Sequence, residues 1–354
     1  MKHILFLYNR RAEIAVTGGQ KYEEELFQGL IGNECFAVER FCINKINGII
    51  SKILSPIYNL RFVKKLNGYD MLFFNSVEGY HLLLLSVVMR WIKRKKIAII
   101  HHHFVFLEFS GLKRAFYWAL ETLFLKSANI IITASPYIET LCKEKFSKKE
   151  IRFWPIPFSL NANKTERAPK KGQLLYIGTI EPRKGLVYLL DSMVYLRNKG
   201  YSYHLTIIGK VVDAKYKKQL DEIISKAGLK VTFTGFISQE EKTDIILQSD
   251  VFVFPSQLEG YGMVLCEAMC EGLPVICFNN SAMPFTVNNN QNGIIVPNKD
   301  TIAFAKAIEK IVENREINER LAAGALEYAS NLANPQQFKE LTNTDVVRML
   351  GCWN

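Results

Sequence analysis

Pro255-Ser256-Gln257-Leu258-Glu259-Gly260-Tyr261-Gly262-Met263-Val264-Leu265-Cys266-Glu267-Ala268-Met269-Cys270-Glu271-Gly272-Leu273-Pro274 is the stretch on which the reading of this chain turns. The apolar run at 251–254 before it reads as a buried strand, the glycine-bearing part as a loop, and the rest as a short helix stopped by Gly272 and Pro274. Strand, glycine turn and helix start form a place for an anion, because the first amides of a helix lack internal partners and the dipole favours negative charge there. Glu259 lies in the loop and Glu267 about two turns into the helix, so carboxylates flank that helix start. Taken alone, the stretch has a lesser competing reading, an ordinary βα unit with a surface acid at each end.

Working outward, the second half of the chain repeats the same grammar. Strands are expected at 174–177, 204–208, 231–234, 251–254, 275–278 and 294–296, with helices between them. Three of them run into Gly178, Gly209 and Gly235, and glycines at the carboxyl ends of parallel strands line the crevice where ligands bind. A helical pattern follows over 300–330, and Pro335 separates it from a last helix at 336–350. The first half gives strands at 2–8, 71–74, 97–100 and 129–133, and helices at 20–31 (after Gly18-Gly19), 79–93, 112–125 and from Ser135-Pro136. Such alternation implies parallel sheets covered by helices on both faces. At 354 residues the chain is too long for one core, so the fold class is α/β, with two Rossmann-like doubly wound domains facing across a cleft. The expected boundaries are 1–160 for the first domain and 161–335 for the second, with 336–354 a helix packing back toward the first. The polar stretch 161–172 reads as the linker.

With 49% apolar and 22% charged residues the chain is that of a globular protein. Seven cysteines, with no Cys-x-x-Cys pair, read as reduced core residues of a cytoplasmic protein. The N-terminal run has no small-residue cleavage site after it and reads as a buried strand. The longest lipophilic segment, 82–89 with Trp91 and Ile92 beyond, is short of the roughly 20 residues that span a bilayer, so no membrane crossing is expected. Of the net charge of +11, residues 1–160 carry +10, from 23 Lys and Arg against 13 Asp and Glu. The cluster Arg90-Trp91-Ile92-Lys93-Arg94-Lys95-Lys96 suits a helix end by itself. A half-chain at +10 points further, to an acidic partner such as an anionic membrane surface or an acidic substrate. Nucleic acid is not expected, since aromatic residues other than Trp91 are not interleaved with the cations.

In Gly178-Thr179-Ile180-Glu181-Pro182-Arg183-Lys184-Gly185, two cations stand at a helix start that disfavours them unless an anion lies there too. A diphosphate held between Arg183-Lys184 and the turn at 260–264 would resolve the mismatch. A solvated basic loop is the competing reading.

Together, Gly178-x-x-x-x-Arg183-Lys184-Gly185, the strand into Gly209, Val231-x-Phe233-x-Gly235, Pro255-Ser256-x-x-Glu259-Gly260-Tyr261-Gly262, Glu267-Ala268 and Gly272-x-Pro274-Val275 resemble the retaining GT-B glycosyltransferases of family 4. The likeness is close over 174–312 and rests elsewhere on the alternation, Gly18-Gly19 and the histidines. It implies that Glu267 binds the ribose hydroxyls of a nucleotide diphosphate sugar, UDP- or GDP-linked. It further implies that Glu259 holds sugar hydroxyls, Arg183 and Lys184 neutralise the leaving diphosphate, and the backbone of Gly260, Tyr261, Gly262, Met263, Val264 and Leu265 holds phosphate and sugar. Gly18 and Gly19 would let an N-terminal loop approach the donor or acceptor without a side chain in the way. In the family a histidine at the end of a first-domain strand contacts the donor sugar. Of His101-His102-His103 strand alternation lets at most two face one way, and His102 is chosen, with His101 and His103 as alternates; Glu108 reads first as a surface salt-bridge partner and second as a helper for the acceptor hydroxyl.

Stabilising a departing diphosphate is what such a transfer mainly needs, and cations with a helix dipole supply it without metal. The alternative device is an Asp-x-Asp clamp. Aspartates stand at 70, 191, 213, 221, 244, 250, 300 and 345, no two of them two apart, so no metal and no cofactor is expected. Departures from the family pattern, Pro157-Phe158-Ser159 and Lys210-Val211, put hinge and nucleobase contacts in question. The resulting expectation is a cytoplasmic enzyme, peripheral on the membrane, that moves a sugar to a saccharide or lipid-linked acceptor in polysaccharide or glycolipid synthesis. The rival is a catalytically silent nucleotide-sugar-binding partner.

Overall fold

A computed structural model describes residues 1–9, 18–43, 49–76, 79–160 and 167–352. Packing divides the chain into two compact units, Met1–Pro157 with Ala333–Asn354, and Phe158–Leu332.

The first unit holds strands β1 (Lys2–Asn9), β2 (Phe36–Ile43), β3 (Met71–Asn75), β4 (Lys96–His101), β5 (Ile130–Thr133) and β6 (Glu150–Phe153). All pair in parallel, in the order β2-β1-β3-β4-β5-β6. Its helices are α1 (Gly18–Leu30), α2 (Ile49–Tyr58), α3 (Val63–Leu66), α4 (Gly79–Val87), α5 (Gly111–Ser127) and α6 (Pro136–Lys145). The inner strands β3 to β5 are continuous apolar runs because helices cover both faces of the sheet. On one face Leu5, Phe74, Ile99 and Ile131 join Leu82 and Leu85 of α4 and Phe124 and Leu125 of α5 in a single core. Gly79 lets α4 start close against α5: a Cβ there would lie 2.9 Å from the Phe124 ring. The edge strands β2 and β6 do not stand out in the sequence, since Glu39, Arg40, Glu150 and Arg152 interrupt their apolar runs.

The second unit holds β7 (Gln173–Ile177), β8 (His204–Ile208), β9 (Lys230–Gly235), β10 (Val251–Phe254), β11 (Val275–Phe278) and β12 (Gly293–Val296), again all parallel, in the order β12-β11-β10-β7-β8-β9. Helices α7 (Leu186–Asn198), α8 (Ala214–Ala227), α9 (Gln239–Gln248), α10 (Met263–Cys270), α11 (Met283–Thr286), α12 (Thr301–Glu313) and α13 (Arg315–Ser330) connect and cover them. The chain winds outward from β7 to β9, then returns to lay β10 on the other side of β7. The strand order reverses between β7 and β10, so the carboxyl ends of these two neighbouring strands form the topological switch point. The helical pattern over 300–330 is two helices rather than one. Asn314 leaves helical geometry and its side chain accepts from the Ile317 amide at 3.0 Å, capping α13. Of the expected linker, residues 161–166 lie outside the described residues, while Ala168 and Lys170 donate to the carbonyls of Leu247 and Gln248 at 3.1 and 3.0 Å.

The last helix, α14 (Pro335–Leu350), belongs to the first unit, where it packs on α1. Phe338 meets Tyr22, and buried Asp345 accepts from the indole N–H of fully buried Trp154 at 2.9 Å. Asp345→Ala strands that donor in an apolar site, at a cost of about 1–3 kcal/mol. Urea denaturation should therefore show a lower midpoint for the first unit, and an unchanged midpoint would remove this bond from the account of the fold.

Among the described residues no helix is long and apolar enough to cross a membrane. Cys142, Cys266, Cys270 and Cys277 are buried free thiols, whereas Cys35 is exposed and departs from the expected core placement.

Candidate active site

Two loops meet at the switch point of the second sheet. The one after β7 forms a single 3₁₀ turn, Pro182–Lys184, and ends at Gly185, whose φ of 70° is left-handed. A side chain is also excluded there because a Cβ would sit 2.0 Å from the Pro255 carbonyl oxygen. This close approach joins the loop to the one after β10. The Gln257 amide donates to the Arg183 carbonyl at 2.9 Å and the Arg183 guanidinium to the Leu258 carbonyl at 2.7 Å.

The charged side chains converge inside this double loop. Lys184 Nζ lies 2.5 Å from Glu259 Oε1, Ser256 Oγ donates to the same oxygen at 2.6 Å, and Arg183 Nη1 stands 3.6 Å away. Arg183 also reaches Glu181 at 3.0 Å. The Lys184 and Glu259 side chains are only 12% and 13% exposed, so their attraction is weakly screened. Burial alone would raise the Glu259 carboxyl, but the charges of Lys184 and Arg183, with the hydrogen bonds from Lys184 and Ser256, outweigh it and hold the group below the usual carboxylate range.

Gly262, at φ 84°, starts α10 in a left-handed conformation without a side-chain cap, which leaves the first turn of the helix open to an anion. The Leu265 amide turns back to the Gly262 carbonyl at 2.8 Å. Tyr261 keeps its ring inside the unit, stacked on Phe158, and its carbonyl accepts from Thr286 at 3.2 Å. Glu267, further along α10, is bound by Lys242 Nζ of α9 at 2.6 Å. Gly178, Gly209 and Gly235 lace the ends of β7, β8 and β9: the Gly178 amide donates to Ile208 and the Gly209 amide to Gly235, both at 2.9 Å. A Cβ on Gly209 would lie 1.9 Å from the Gly178 oxygen, so the row closes only with glycine.

In the first unit, β4 ends at His101, so the alternation argument does not extend to His102 and His103. His101 is fully buried, edge-on to Phe104, and neither ring nitrogen has a hydrogen-bond partner. Burial, with the neighbouring charges of His103 and His102, pushes its pKa well below the imidazole range, so it stays neutral. His103 pairs with Glu108 at 3.4 Å. His102 has the more built environment. Its Nε2 is 2.8 Å from Glu23 Oε1, Tyr22 meets the ring edge-on, and a Cβ on Gly19 would lie 3.8–3.9 Å from three ring atoms. Gly18 and Gly19 open α1, which carries Tyr22 and Glu23 to the histidine.

The structure thus brings Arg183, Lys184 and Glu259 together, and separately Gly19 and His102. Glu267 stands apart from Glu259, with its own cation. Three partners went unnoticed in the sequence: Glu23, Lys242 and Ser256. Ser256 is three residues before Glu259 and could have been suspected from that spacing; Lys242 and Glu23 reach their partners only through the fold. Among the described residues no group of three or more His, Cys, Asp or Glu is placed to hold a metal ion.

Comparison with known proteins bears on the family and the fold. Residues 158–327 match the family model described as glycosyl transferases group 1. The chain is 30% identical over 154 residues to alpha-D-kanosaminyltransferase of Streptomyces kanamyceticus, a match covering 43% of this chain and 39% of that protein. It is 29% identical over 186 residues to the capsular polysaccharide biosynthesis glycosyltransferase CapM of Staphylococcus aureus, covering 51% of this chain and 48% of the relative. These matches therefore span less than half the length of either relative. Among solved structures, sucrose-phosphate synthase from Thermosynechococcus elongatus aligns over 100% of both chains with a TM-score of 0.80 at 19% identity, a likeness of fold. Two Rossmann-like units of the GT-B type describe this chain as well.

Proposed function

We propose that this chain, whose residues 158–327 match the glycosyl transferases group 1 model, moves a sugar, with retention at the anomeric carbon, from a UDP- or GDP-sugar to a saccharide or lipid-linked acceptor. The observation that carries the proposal is the Lys184–Glu259–Arg183 cluster beside the uncapped start of α10. In the transfer the bond from the anomeric carbon to the diphosphate breaks, a bond to the acceptor oxygen forms, and the proton of the acceptor hydroxyl passes to the departing diphosphate. Negative charge builds on the departing diphosphate, and preorganised cations with open helix amides are suited to stabilise it. Glu267 takes the ribose hydroxyls, Glu259 the sugar hydroxyls, and His102 a further hydroxyl of the donor sugar. Gly18 and Gly19 give the N-terminal loop its close approach.

Metal independence is part of the proposal, supported by two cations where an Asp-x-Asp clamp would otherwise act. The name of the CapM relative supports a place in cell-surface polysaccharide synthesis, and the +10 carried by residues 1–160 supports a peripheral position on the cytoplasmic face of an anionic membrane. Hydrolysis of α-linked UDP- and GDP-sugars in excess EDTA, followed by proton NMR, tests the chemistry. The α-anomer should appear first, at a rate that chelation leaves unchanged. Release of the β-anomer, or loss of turnover restored by manganese, would overturn retention or metal independence respectively.

A further inference from the structure

Helix α5 is apolar on two opposite sides. Phe124 and Leu125 face the core, with Tyr117 packed against it. Leu112, Phe116 and Leu123 lie at i, i+4 and i+11, within about 40° of one another on the helix, and turn away from those core residues. They are 92%, 57% and 53% exposed. A solvent-side stripe of this kind has no role in the fold, since a surface helix ordinarily keeps that face polar. Lys113 and Lys126 flank it on either side, both exposed. Helix α4 packs alongside α5, and its π-helical end leaves Trp91 and Ile92 63% and 69% exposed, followed by exposed Lys93 and Arg94.

We propose that the outer face of α4 and α5 seats in an anionic lipid bilayer, with the Leu112–Phe116–Leu123 stripe and Trp91–Ile92 entering the headgroup–acyl boundary and the flanking cations on lipid phosphates. Apolar area bordered by cations is the combination that holds a helix in that boundary, and the complementary charge favours a bilayer over a second copy of the chain, which would set cation against cation. The inference deepens the membrane part of the proposed function and adds what net charge alone does not supply, an inserted apolar contact on named residues.

Flotation with vesicles of phosphatidylcholine alone, and with 30 mol% phosphatidylglycerol, tests it on the full chain. The wild type should float with the anionic vesicles only. Phe116→Asp with Leu123→Asp should lower partitioning at least about tenfold, and Lys93→Gln, Lys113→Gln and Lys126→Gln together on the order of a hundredfold. Unchanged thermal melts and donor hydrolysis in lipid-free buffer should accompany both variants, so a failed membrane contact is distinguishable from a failed enzyme assignment. Flotation of the Asp variant equal to wild type would reduce the contact to charge and overturn insertion. Absence of wild-type flotation overturns the proposal, as does a dimer in sedimentation that the Asp variant abolishes.

Discussion

Lys184→Ala is expected to lower kcat for donor turnover by roughly 10²–10³ while KM for the donor changes much less. The reasoning starts from geometry: Lys184 Nζ lies against Glu259 at 2.5 Å, largely withdrawn from water, and Arg183 contributes a second charge from 3.6 Å. The donor diphosphate is already anionic, but a further negative charge develops on it as the sugar departs, so a fixed cation there acts most strongly in the transition state. The substitution also alters Glu259. With its folded pKa depressed, its contribution to stability is full above the unfolded value and is lost as pH falls through the folded value, below the usual carboxylate range. Without Lys184, burial pushes that pKa up, so the acid limb of both stability and activity should move to higher pH. Lys184→Arg keeps the charge but not the compact ammonium, and should fall between the two. A Lys184→Ala enzyme with wild-type kcat would show that the cation is merely a structural partner of Glu259.

Glu267→Ala should raise the dissociation constant for the donor by about tenfold to a hundredfold, since hydrogen bonds to a charged group are worth about 1.5–3 kcal/mol each. Titration calorimetry with the intact donor and the free nucleoside diphosphate reads this directly, and the loss should be the same for both because the ribose is common to them. Lys242 holds the carboxylate at 2.6 Å from the adjacent helix, so Lys242→Met should weaken binding in the same direction by a smaller factor. If Glu267 only anchors α10 to α9, the melting temperature falls and the affinity for both ligands stays put.

Much of the fold is legible in the order of residues because a doubly covered parallel strand has to be apolar throughout: 251–254 and 275–278 read as strands at the bounds the structure gives. Edge strands follow another rule. Phe36–Ile43 and Glu150–Phe153 pair on one side only and tolerate charge, which hides them from an apolar-run reading. Asn314 is a local event of a different kind, a side chain competing for a backbone amide inside an otherwise unbroken helical pattern.

The site follows the same division. Residues fixed by one loop are visible in the sequence: Gly185 and Gly262 hold left-handed turns, and Arg183, Lys184 and Glu259 lie on the two loops that the switch point brings side by side. Partners supplied by a distant helix are not. Nothing in the spacing of Lys242 and Glu267, or of Glu23 and His102, announces their contact, which depends on where α9 and α1 fall on their sheets. The histidine triplet shows the limit of periodicity. Alternation describes a strand, and β4 stops at the first of the three.

Release of nucleoside diphosphate by the purified chain, measured across a panel of UDP-, GDP- and ADP-sugars with EDTA present, bears most directly on the assignment of the Arg183–Lys184–Glu259 cluster as the site of sugar transfer. One preferred donor, hydrolysed slowly in water and faster when the right acceptor is added, is the expected result. Tight binding of a donor with no release under any condition would contradict it and leave the chain a nucleotide-sugar-binding partner.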